Sequence, residues 1–133
     1  DVMPTILAAC GIEVPDTLPG INLLDEKAIA DRETIFFANF AHDMVSPTEP
    51  EKSVWTRSCL HNQWKLVTWQ KDTPQVRPYN NGFQRKNPET SVELFDLLAD
   101  PHETTNLAEK QPQVVKQMRE RMDAWWDPGK PLP

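Results

Sequence analysis

The sequence predicts an α+β fold, with a small antiparallel sheet of three to four strands, a C-terminal amphipathic helix packed on one face, and an additional N-terminal helix. Two patterns carry this prediction. Residues 53–60 and 63–69 alternate their side chains with the period of two that strands show. Residues 112–126 repeat apolar side chains at the three- and four-residue spacings of a buried helical stripe.

The first eleven residues predict a short helix. Asp1 is expected to cap it, Pro4 is tolerated in its first turn, and Gly11 supplies a C-terminal stop. Its apolar face comprises Met3, Ile6, Leu7 and Cys10. Because about ten residues are too few for a stable isolated helix, this face is expected to lie on another surface.

The next segments alternate between connections and a strand. Residues 12–24 predict an extended connection, and residues 25–33 predict a charged surface. Residues 34–40 are rich in β-branched and aromatic side chains, which predicts a buried strand. The prolines in residues 43–52 predict a loop.

The alternating residues 53–60 and 63–69 predict a β-hairpin. Its turn is expected at His61 and Asn62, since both residue types tolerate positive φ better than most. The five tryptophans of the chain could form a platform for carbohydrate. Alternation along the hairpin instead puts Trp64 and Leu66 on one face, and Trp125 completes a helical stripe, which favours core positions. Residues 92–98 predict a further strand that stops at a turn begun by Pro101.

Polar side chains after that strand are expected to bond nearby backbone groups. They are Asp100, Thr104, Thr105 and Asn106. The final helix begins at Pro112, and its buried stripe comprises Val115, Met118, Met122 and Trp125. On its exposed side, the i,i+4 pairs expected are Lys116 with Glu120 and Arg119 with Asp123.

The composition indicates a globular chain of 133 residues with a net charge of −6, which argues against a general nucleic-acid binder. No apolar run has membrane-spanning length. Cys10 and Cys59 are expected to be two buried free thiols, although a bridge is possible in an oxidising compartment. Because the chain opens at Asp1 without an initiator methionine, we expect it to have been cut from something longer.

No catalytic set is evident in the sequence. His61 is expected to be a turn residue and His102 a solvated one, whereas His42 directly follows a predicted strand and is a candidate ligand-facing residue. Glu93 and Asp96 are interpreted as strand-edge charges. Phosphate-loop, G-x-S-x-G and H-E-x-x-H motifs do not occur.

The long loop at residues 70–90 is chemically the most suggestive segment. Its four basic and two acidic side chains give it a charge of +2, within a chain of −6. Such a loop could hold an anionic or sugar-like group, although a solvated loop explains the same composition. Together with His42, the rim candidates are Arg77, Tyr79, Asn80 and Arg85.

Four segments of the chain resemble the C-terminal end of sulfatases of the arylsulfatase type, within the alkaline-phosphatase-like superfamily. They are D-V-M-P-T-I-L-A-A-C-G-I-E-V-P with P-G-I-N-L-L, then V-W-T-R-S-C-L-H-N-Q-W-K-L-V, then E-L-F-D-L-L-A-D-P-H-E-T-T-N-L, and the closing helix. The third is similar to the family pattern E-L-Y-D-L-x-x-D-P-x-E-x-x-N-L and is the most specific.

The resemblance implies that residues 1–24 are the end of a catalytic α/β domain and its connection, and that residues 25–133 are a C-terminal subdomain lending loops to the substrate rim. It implies a parent enzyme with calcium and a formylglycine made in a C/S-x-P-x-R motif, which neither cysteine matches. We therefore expect no catalytic residue, metal or cofactor in this chain, and no activity from it alone.

The expected partners are the missing catalytic domain and, in the parent enzyme, a sulfated small molecule or glycan, with neither nucleic acid nor membrane. Without that domain, the N-terminal apolar face predicts that the chain self-associates, exchanges this helix between copies, or leaves it mobile. The resemblance suggests a periplasmic or secreted protein. The alternatives are a phosphodiester or phosphonate hydrolase of the same superfamily, a stand-alone glycan-binding module, or a small enzyme using His42.

Overall fold

The computed structural model describes residues 1–40, 46, 49–69 and 92–127. The chain divides into two compact units, Asp1–Glu33 and Thr34–Pro133. Within the described ranges, none of the helices combines the length and apolar character that a membrane crossing needs.

The first unit contains two helices, α1 (Val2–Ala9) and α2 (Glu26–Ala30). Asp1 occupies the N-cap position of α1, but contrary to the prediction its side chain makes no capping hydrogen bond. It accepts a hydrogen bond from the main-chain N–H of Ile21 at 2.9 Å and another from the Arg32 guanidinium at 2.7 Å. A charged, two-pronged donor satisfies a carboxylate better than a helical N–H, which explains the difference.

Residues 25–33 are the charged and mostly exposed surface that the sequence predicts, and they also contain helix α2, which was not predicted. The Asp25 carboxylate accepts from the main-chain N–H groups of Lys27 at 2.9 Å and Ala28 at 3.1 Å. This is an N-cap, whose acceptor stabilises the otherwise unpaired donors of the first turn. The sequence signal, an aspartate before E-K-A-I-A, is too short to stand out by periodicity.

In its described residues, the second unit contains a four-stranded antiparallel sheet in the order β1-β2-β3-β4 and one α-helix, α3. The predicted α+β class is therefore confirmed. The strands are β1 (Thr34–Phe40), β2 (Val54–His61), β3 (Trp64–Trp69) and β4 (Val92–Asp96); a 3-10 turn covers Pro50–Ser53, and α3 spans Pro112–Trp125.

The β2–β3 turn lies one residue later than predicted. His61 still pairs with Trp64, so the two turn residues are Asn62 and Gln63. Asn62 has a φ of 53°, a left-handed conformation that asparagine adopts more readily than histidine. The turn therefore places the asparagine where positive φ is needed and leaves the histidine in the strand.

The core forms where one face of the sheet meets α3. Phe36, Cys59, Leu66 and Leu94 are cross-strand neighbours and therefore share one face. Cys59, Leu66 and Leu94 are fully buried with Met118 and Met122 of α3, as the predicted stripe requires. Burial of each large apolar side chain stabilises the fold by about 1.5–3 kcal/mol.

Strand β1 has the predicted bounds, but it is not a buried strand. It lies at the edge of the sheet, and its side chains alternate between half-buried and exposed. Ile35 is 41% exposed and Phe37 is 44% exposed. The apolar composition of residues 34–40 therefore does not reflect burial within this unit.

The C-terminal end of α3 differs in detail from the prediction. Trp126 has an extended backbone and is buried, whereas Trp125 is half-buried and stacks on Phe36 with ring centroids 5.1 Å apart. Asp123 pairs with Arg57 of β2 at 2.9 Å instead of serving the predicted pair with Arg119. A partner on the sheet is held rigidly, so it competes well with a solvated side chain one helical turn away.

The predicted i,i+4 pair on the exposed side of α3 and the predicted state of the two cysteines can both be compared with the structure. Lys116 and Glu120 lie 4.0 Å apart, both well exposed, as expected for a weak i,i+4 pair. Both cysteines are free. Cys59 is buried as predicted, but Cys10 is exposed because it follows the last turn of α1.

Candidate functional site

The predicted rim candidates fall outside the described residues and stay predictions. They are His42, Arg77, Tyr79, Asn80 and Arg85. The structure therefore neither brings them together nor separates them. The described polar and charged side chains that could form a site lie on the strands and the β2–β3 turn, in the segment after β4, and on α3.

The two described histidines have different environments. His61 ends β2 and is half-buried, and its Nδ1 lies 2.9 Å from the Thr34 hydroxyl. His102 is exposed, as predicted. The hydroxyl contact fixes the orientation of the His61 imidazole, which makes this ring a candidate for binding.

The two carboxylates of β4 both have structural partners. Glu93 lies on the edge strand β4, in agreement with its interpretation as a strand-edge charge, but it is only 5% exposed and accepts a 2.8 Å hydrogen bond from the Trp69 indole. Asp96 accepts from the main-chain N–H groups of Leu98 and Ala99, each at 3.1 Å. Glu93 ties β4 to β3, and Asp96 shapes the turn after the strand.

The chemistry of the Cys59 thiol does not fit a nucleophile. Burial raises its pKa to about 11, against smaller lowering effects from Arg121 and Arg57. The thiol also donates to the main-chain carbonyl of Met118 at 3.7 Å. Nucleophilic cysteines require an accessible thiolate, so Cys59 is a core residue.

Calcium and formylglycine, which the family resemblance implies, find no matching residues in the described part of the chain. No group of three or more His, Cys, Asp or Glu side chains there could hold a metal ion. The buried Cys59 also lacks the C-x-P-x-R context. No chemical step is therefore assigned to either group in this chain.

Asp100 organises the turn that follows β4. One carboxylate oxygen accepts from the main-chain N–H of Thr104 at 2.6 Å and of Thr105 at 2.8 Å. The Thr104 hydroxyl also contacts both oxygens at 3.1 Å. The predicted side-chain-to-backbone bonding is confirmed for Asp100, whereas the Thr104 hydroxyl bonds to the Asp100 side chain instead of the backbone. These bonds fold residues 100–105 into a closed loop.

Asn106 then fastens the chain to the outer edge of β4. Its side-chain carbonyl accepts from the N–H of Leu94 at 3.0 Å, and its amide donates to the carbonyl of Val92 at 3.1 Å. The N–H of Leu107 adds a bond to the Leu94 carbonyl at 2.8 Å. These contacts satisfy polar groups that an edge strand would otherwise leave open to pairing.

Glu103 links the same loop to the sheet. It has a φ of 54°, which is uncommon outside glycine and asparagine, and its carboxylate binds the Lys65 ammonium at 2.7 and 2.8 Å. Both side chains are about one-quarter exposed. The ion pair therefore holds the loop tip over β3.

A groove of about 650 Å³ lies between the β2–β3 turn and α3. Apolar side chains form part of its lining, and polar side chains form the rest. The apolar ones are Trp64, Val114, Met118 and Ala124; the polar ones are His61, Asn62, Gln117, Glu120 and Arg121. Sequence reasoning missed this groove, although Val114, Gln117, Arg121 and Ala124 repeat at the three- and four-residue spacings of one helical face.

Comparison with known proteins supports the resemblance seen in the sequence. The chain is 25% identical over 125 residues to arylsulfatase K of Xenopus laevis and 27% identical over 124 residues to arylsulfatase K of Bos taurus. Each match covers 92% of this chain and 20% of the relative, so the chain spans about a fifth of their length. No protein-family model matches the chain.

Solved structures show the same fold. A protein from a Bacteroides thetaiotaomicron locus for metabolism of multiple glycosaminoglycans has a TM-score of 0.59 at 23% identity, covering 93% of this chain and 24% of its own. YidJ of Bacteroides fragilis, provisionally assigned to the sulfatases, has a TM-score of 0.59 at 19% identity, covering 94% and 23%. A protein bound to its substrate D-glucosamine-2-N,6-O-disulfate has a TM-score of 0.53 at 20% identity, covering 96% and 25%.

These comparisons confirm the resemblance of the chain to the C-terminal subdomain of sulfatases. The four-stranded antiparallel sheet with its C-terminal helix is consistent with that subdomain.

Proposed function

We propose that this chain is the C-terminal part of a sulfatase-like sulfuric ester hydrolase, in which it completes the fold and shapes the rim of the substrate cleft. The most direct support is the match to arylsulfatase K of two species, which covers 92% of this chain and about a fifth of each relative. The solved proteins of the same fold include one bound to a disulfated glucosamine, which makes a sulfated glycan a reasonable substrate class for the parent enzyme.

The chemistry of the described residues agrees with a non-catalytic role. The Cys59 thiol is buried, the carboxylates of Glu93 and Asp96 bond to neighbouring N–H groups, and His102 is solvated. In this proposal the formylglycine, calcium and catalytic side chains belong to a catalytic α/β domain of which residues 1–24 are the end. Neighbouring chemistry in the superfamily, such as phosphodiester hydrolysis, is less well supported because the named relatives are arylsulfatases.

The α1 face is the proposed contact with that catalytic domain. Val2 is 70% exposed, Met3 58% and Ile6 54%, so three apolar side chains on one short helix face solvent. A surface of this kind is costly in water and is typical of an interface. In the proposed parent enzyme the catalytic domain covers it.

An assay of the chain alone tests the non-catalytic role. With p-nitrophenyl sulfate and calcium, no turnover above the buffer rate is expected. Calcium-dependent turnover at a rate typical of enzymes, lost on chelation, would contradict the proposal. In the parent enzyme, parallel assays with an aryl sulfate and an aryl phosphodiester distinguish sulfate from phosphate chemistry.

The rim role is tested in the parent enzyme by the double substitution Arg77→Gln with Arg85→Gln. Because the loop carries positive charge, KM for a sulfated oligosaccharide is expected to rise by about tenfold, while kcat/KM for a small aryl sulfate changes little. Lys116→Gln, an exposed lysine on α3, is the matched control. Equal effects of the two variants on both substrates would exclude a rim function for the loop.

A further inference from the structure

The groove between the β2–β3 turn and α3 is not used by the proposed function. Its base consists of Met118, which is fully buried, and Trp64, which is half-buried and packs against the core. Trp64 is therefore held in place before any ligand arrives, so little conformational entropy is lost on binding. The part of the indole that lines the groove is apolar, apart from its N–H.

The sides of the groove carry exposed hydrogen-bonding groups. Gln117 and Arg121 of α3 and Asn62 of the β2–β3 turn line the groove, and all three residues are exposed. His61 is oriented by its 2.9 Å contact with the Thr34 hydroxyl. Amide, imidazole and guanidinium groups around an aromatic base can bond hydroxyl groups, and the guanidinium can also bind an acidic group with two parallel bonds.

This mixture restricts the class of ligand. An apolar helix or acyl chain would remove water from two charged side chains, Arg121 and Glu120, without offering them a polar group, which is unfavourable. A nucleic acid would need several cations along a track, whereas the described lining of the groove has one arginine and one glutamate, in a chain of net charge −6. A sugar with one acidic group can place its ring against the indole, its hydroxyl groups against the side-chain amides and its acidic group against the guanidinium.

We propose that this groove binds one sugar unit of an acidic glycan, with the ring against Trp64 and its sulfate or carboxylate against Arg121. This contact is additional to the catalytic cleft, and only the choice of a sulfated glycan as ligand rests on the proposed function. In the parent enzyme, such a site would hold a distant part of a long chain and raise its effective concentration at the cleft.

Calorimetric titration of the chain with a heparin-derived tetrasaccharide tests the proposal. Binding is expected, and Arg121→Gln is expected to weaken it by about tenfold, the loss that removal of one charge-assisted hydrogen bond produces. Arg119→Gln is the matched control because it removes the same charge from an exposed position of α3 outside the groove. It is expected to change the Kd by no more than about twofold.

Further ligands and variants separate the parts of the proposal. Chitotetraose, which is uncharged, is expected to bind more weakly, and inorganic sulfate alone is expected not to compete at equal concentration. Gln117→Ala is expected to weaken binding by a few-fold while the circular dichroism spectrum stays unchanged. In the wild-type protein, an upfield shift of the tetrasaccharide ring protons, absent with Trp64→Leu, would report stacking on the indole.

Several outcomes would overturn the proposal. They are no binding of the tetrasaccharide, equal losses with Arg121→Gln and Arg119→Gln, and sulfate competing as well as the glycan. Loss of binding only with Arg77→Gln and Arg85→Gln would assign the glycan to the long loop instead. None of these outcomes affects aryl sulfate turnover, so the groove and the proposed function fail independently.

Discussion

Arg57, in the interior of the sheet, holds the C-terminal end of α3 through a 2.6 Å hydrogen bond from its Nη1 to the main-chain carbonyl of Trp126. The same nitrogen lies 2.9 Å from the Asp123 carboxylate. The last carbonyls of a helix have no partner within the helix, and a cation there also interacts favourably with the helix dipole. Arg57 therefore joins the sheet to the helix at a point where apolar packing alone leaves polar groups unsatisfied.

Arg57→Ala is expected to lower the free energy of unfolding by about 2–3 kcal/mol, because a nearly buried charged donor to a carbonyl is lost. Asp123→Asn is the matched control, since Asp123 is 56% exposed and the ion pair is expected to contribute less than about 1 kcal/mol. Urea denaturation measures both. Similar values for the two variants would mean that the carbonyl contact contributes little.

Asp100→Ala is expected to lower the free energy of unfolding by about 1–2 kcal/mol, because two main-chain N–H groups lose their acceptor. Asp100→Asn keeps one acceptor oxygen and should lie between the wild-type protein and Asp100→Ala. Hydrogen exchange is the more specific measurement. The amides of Thr104 and Thr105 should lose protection while that of Leu66, in the middle of the sheet, keeps it.

Asn106→Ala is expected to expose the outer edge of β4, because the side chain both donates and accepts there. A loss of about 1–2 kcal/mol is expected, together with faster aggregation on storage, since an open strand edge can pair with another chain. The neighbouring Thr105→Ala, which removes an exposed side chain but leaves its N–H, is the control. Equal aggregation rates of the two variants would show that the edge is protected by other contacts.

The sequence predicted the second unit well where one pattern dominated. The inward position of Leu66 follows from alternation, and that of Met118 with Met122 from helical spacing, since both patterns are consequences of backbone geometry. The alignment of Leu66 with Cys59 and Leu94 depends on the strand register, which alternation alone does not give. The displaced turn had a weaker basis. His61 and Asn62 are both residue types that tolerate positive φ, and only the observed pairing of His61 with Trp64 shows that the turn residues are Asn62 and Gln63.

Long-range polar contacts could not be predicted from spacing. Arg57 and Trp126 are 69 residues apart, and Asp1 meets Arg32 across 31 residues, so neither contact leaves a local pattern. The groove was missed for the same reason, because Trp64 and Arg121 come together only when α3 packs on the sheet. The apolar side chains of β1 predicted burial, but an edge strand exposes part of them.

The two cysteines are expected to differ in reactivity. At pH 8, a disulfide reagent such as DTNB should modify the exposed Cys10 quickly and leave Cys59 unmodified until the protein unfolds, because Cys59 is buried and its pKa is raised to about 11. One thiol per chain is therefore expected in native buffer and two in denaturant. Two thiols reacting at one rate in native buffer would contradict the burial of Cys59.

The same pKa shift predicts a pH dependence of stability. The unfolded thiol ionises near its ordinary value of 9.0, whereas the folded thiol stays protonated up to about 11. Since the folded state binds more protons between these values, its stability is fully present below pH 9 and falls as the pH rises toward 11. Cys59→Ala should be less stable at neutral pH but show a shallower decline over this range. Parallel declines of the two proteins, measured by urea denaturation from pH 8 to 11, would exclude Cys59 as the source.

The exposed face of α1 is expected to drive association of the isolated chain. Val2, Met3 and Ile6 are each more than half exposed, so their contact with another copy removes apolar surface from water. The double variant Met3→Glu with Ile6→Lys should shift the chain toward monomer in sedimentation velocity by at least about tenfold in Kd, because two charges would be buried on association. Glu13→Gln with Asp16→Asn, two exposed positions of the same unit away from this face, should leave the association unchanged. A wild-type chain that stays monomeric at high micromolar concentration would mean that this face needs no covering, and the proposed contact with a catalytic domain would lose its support.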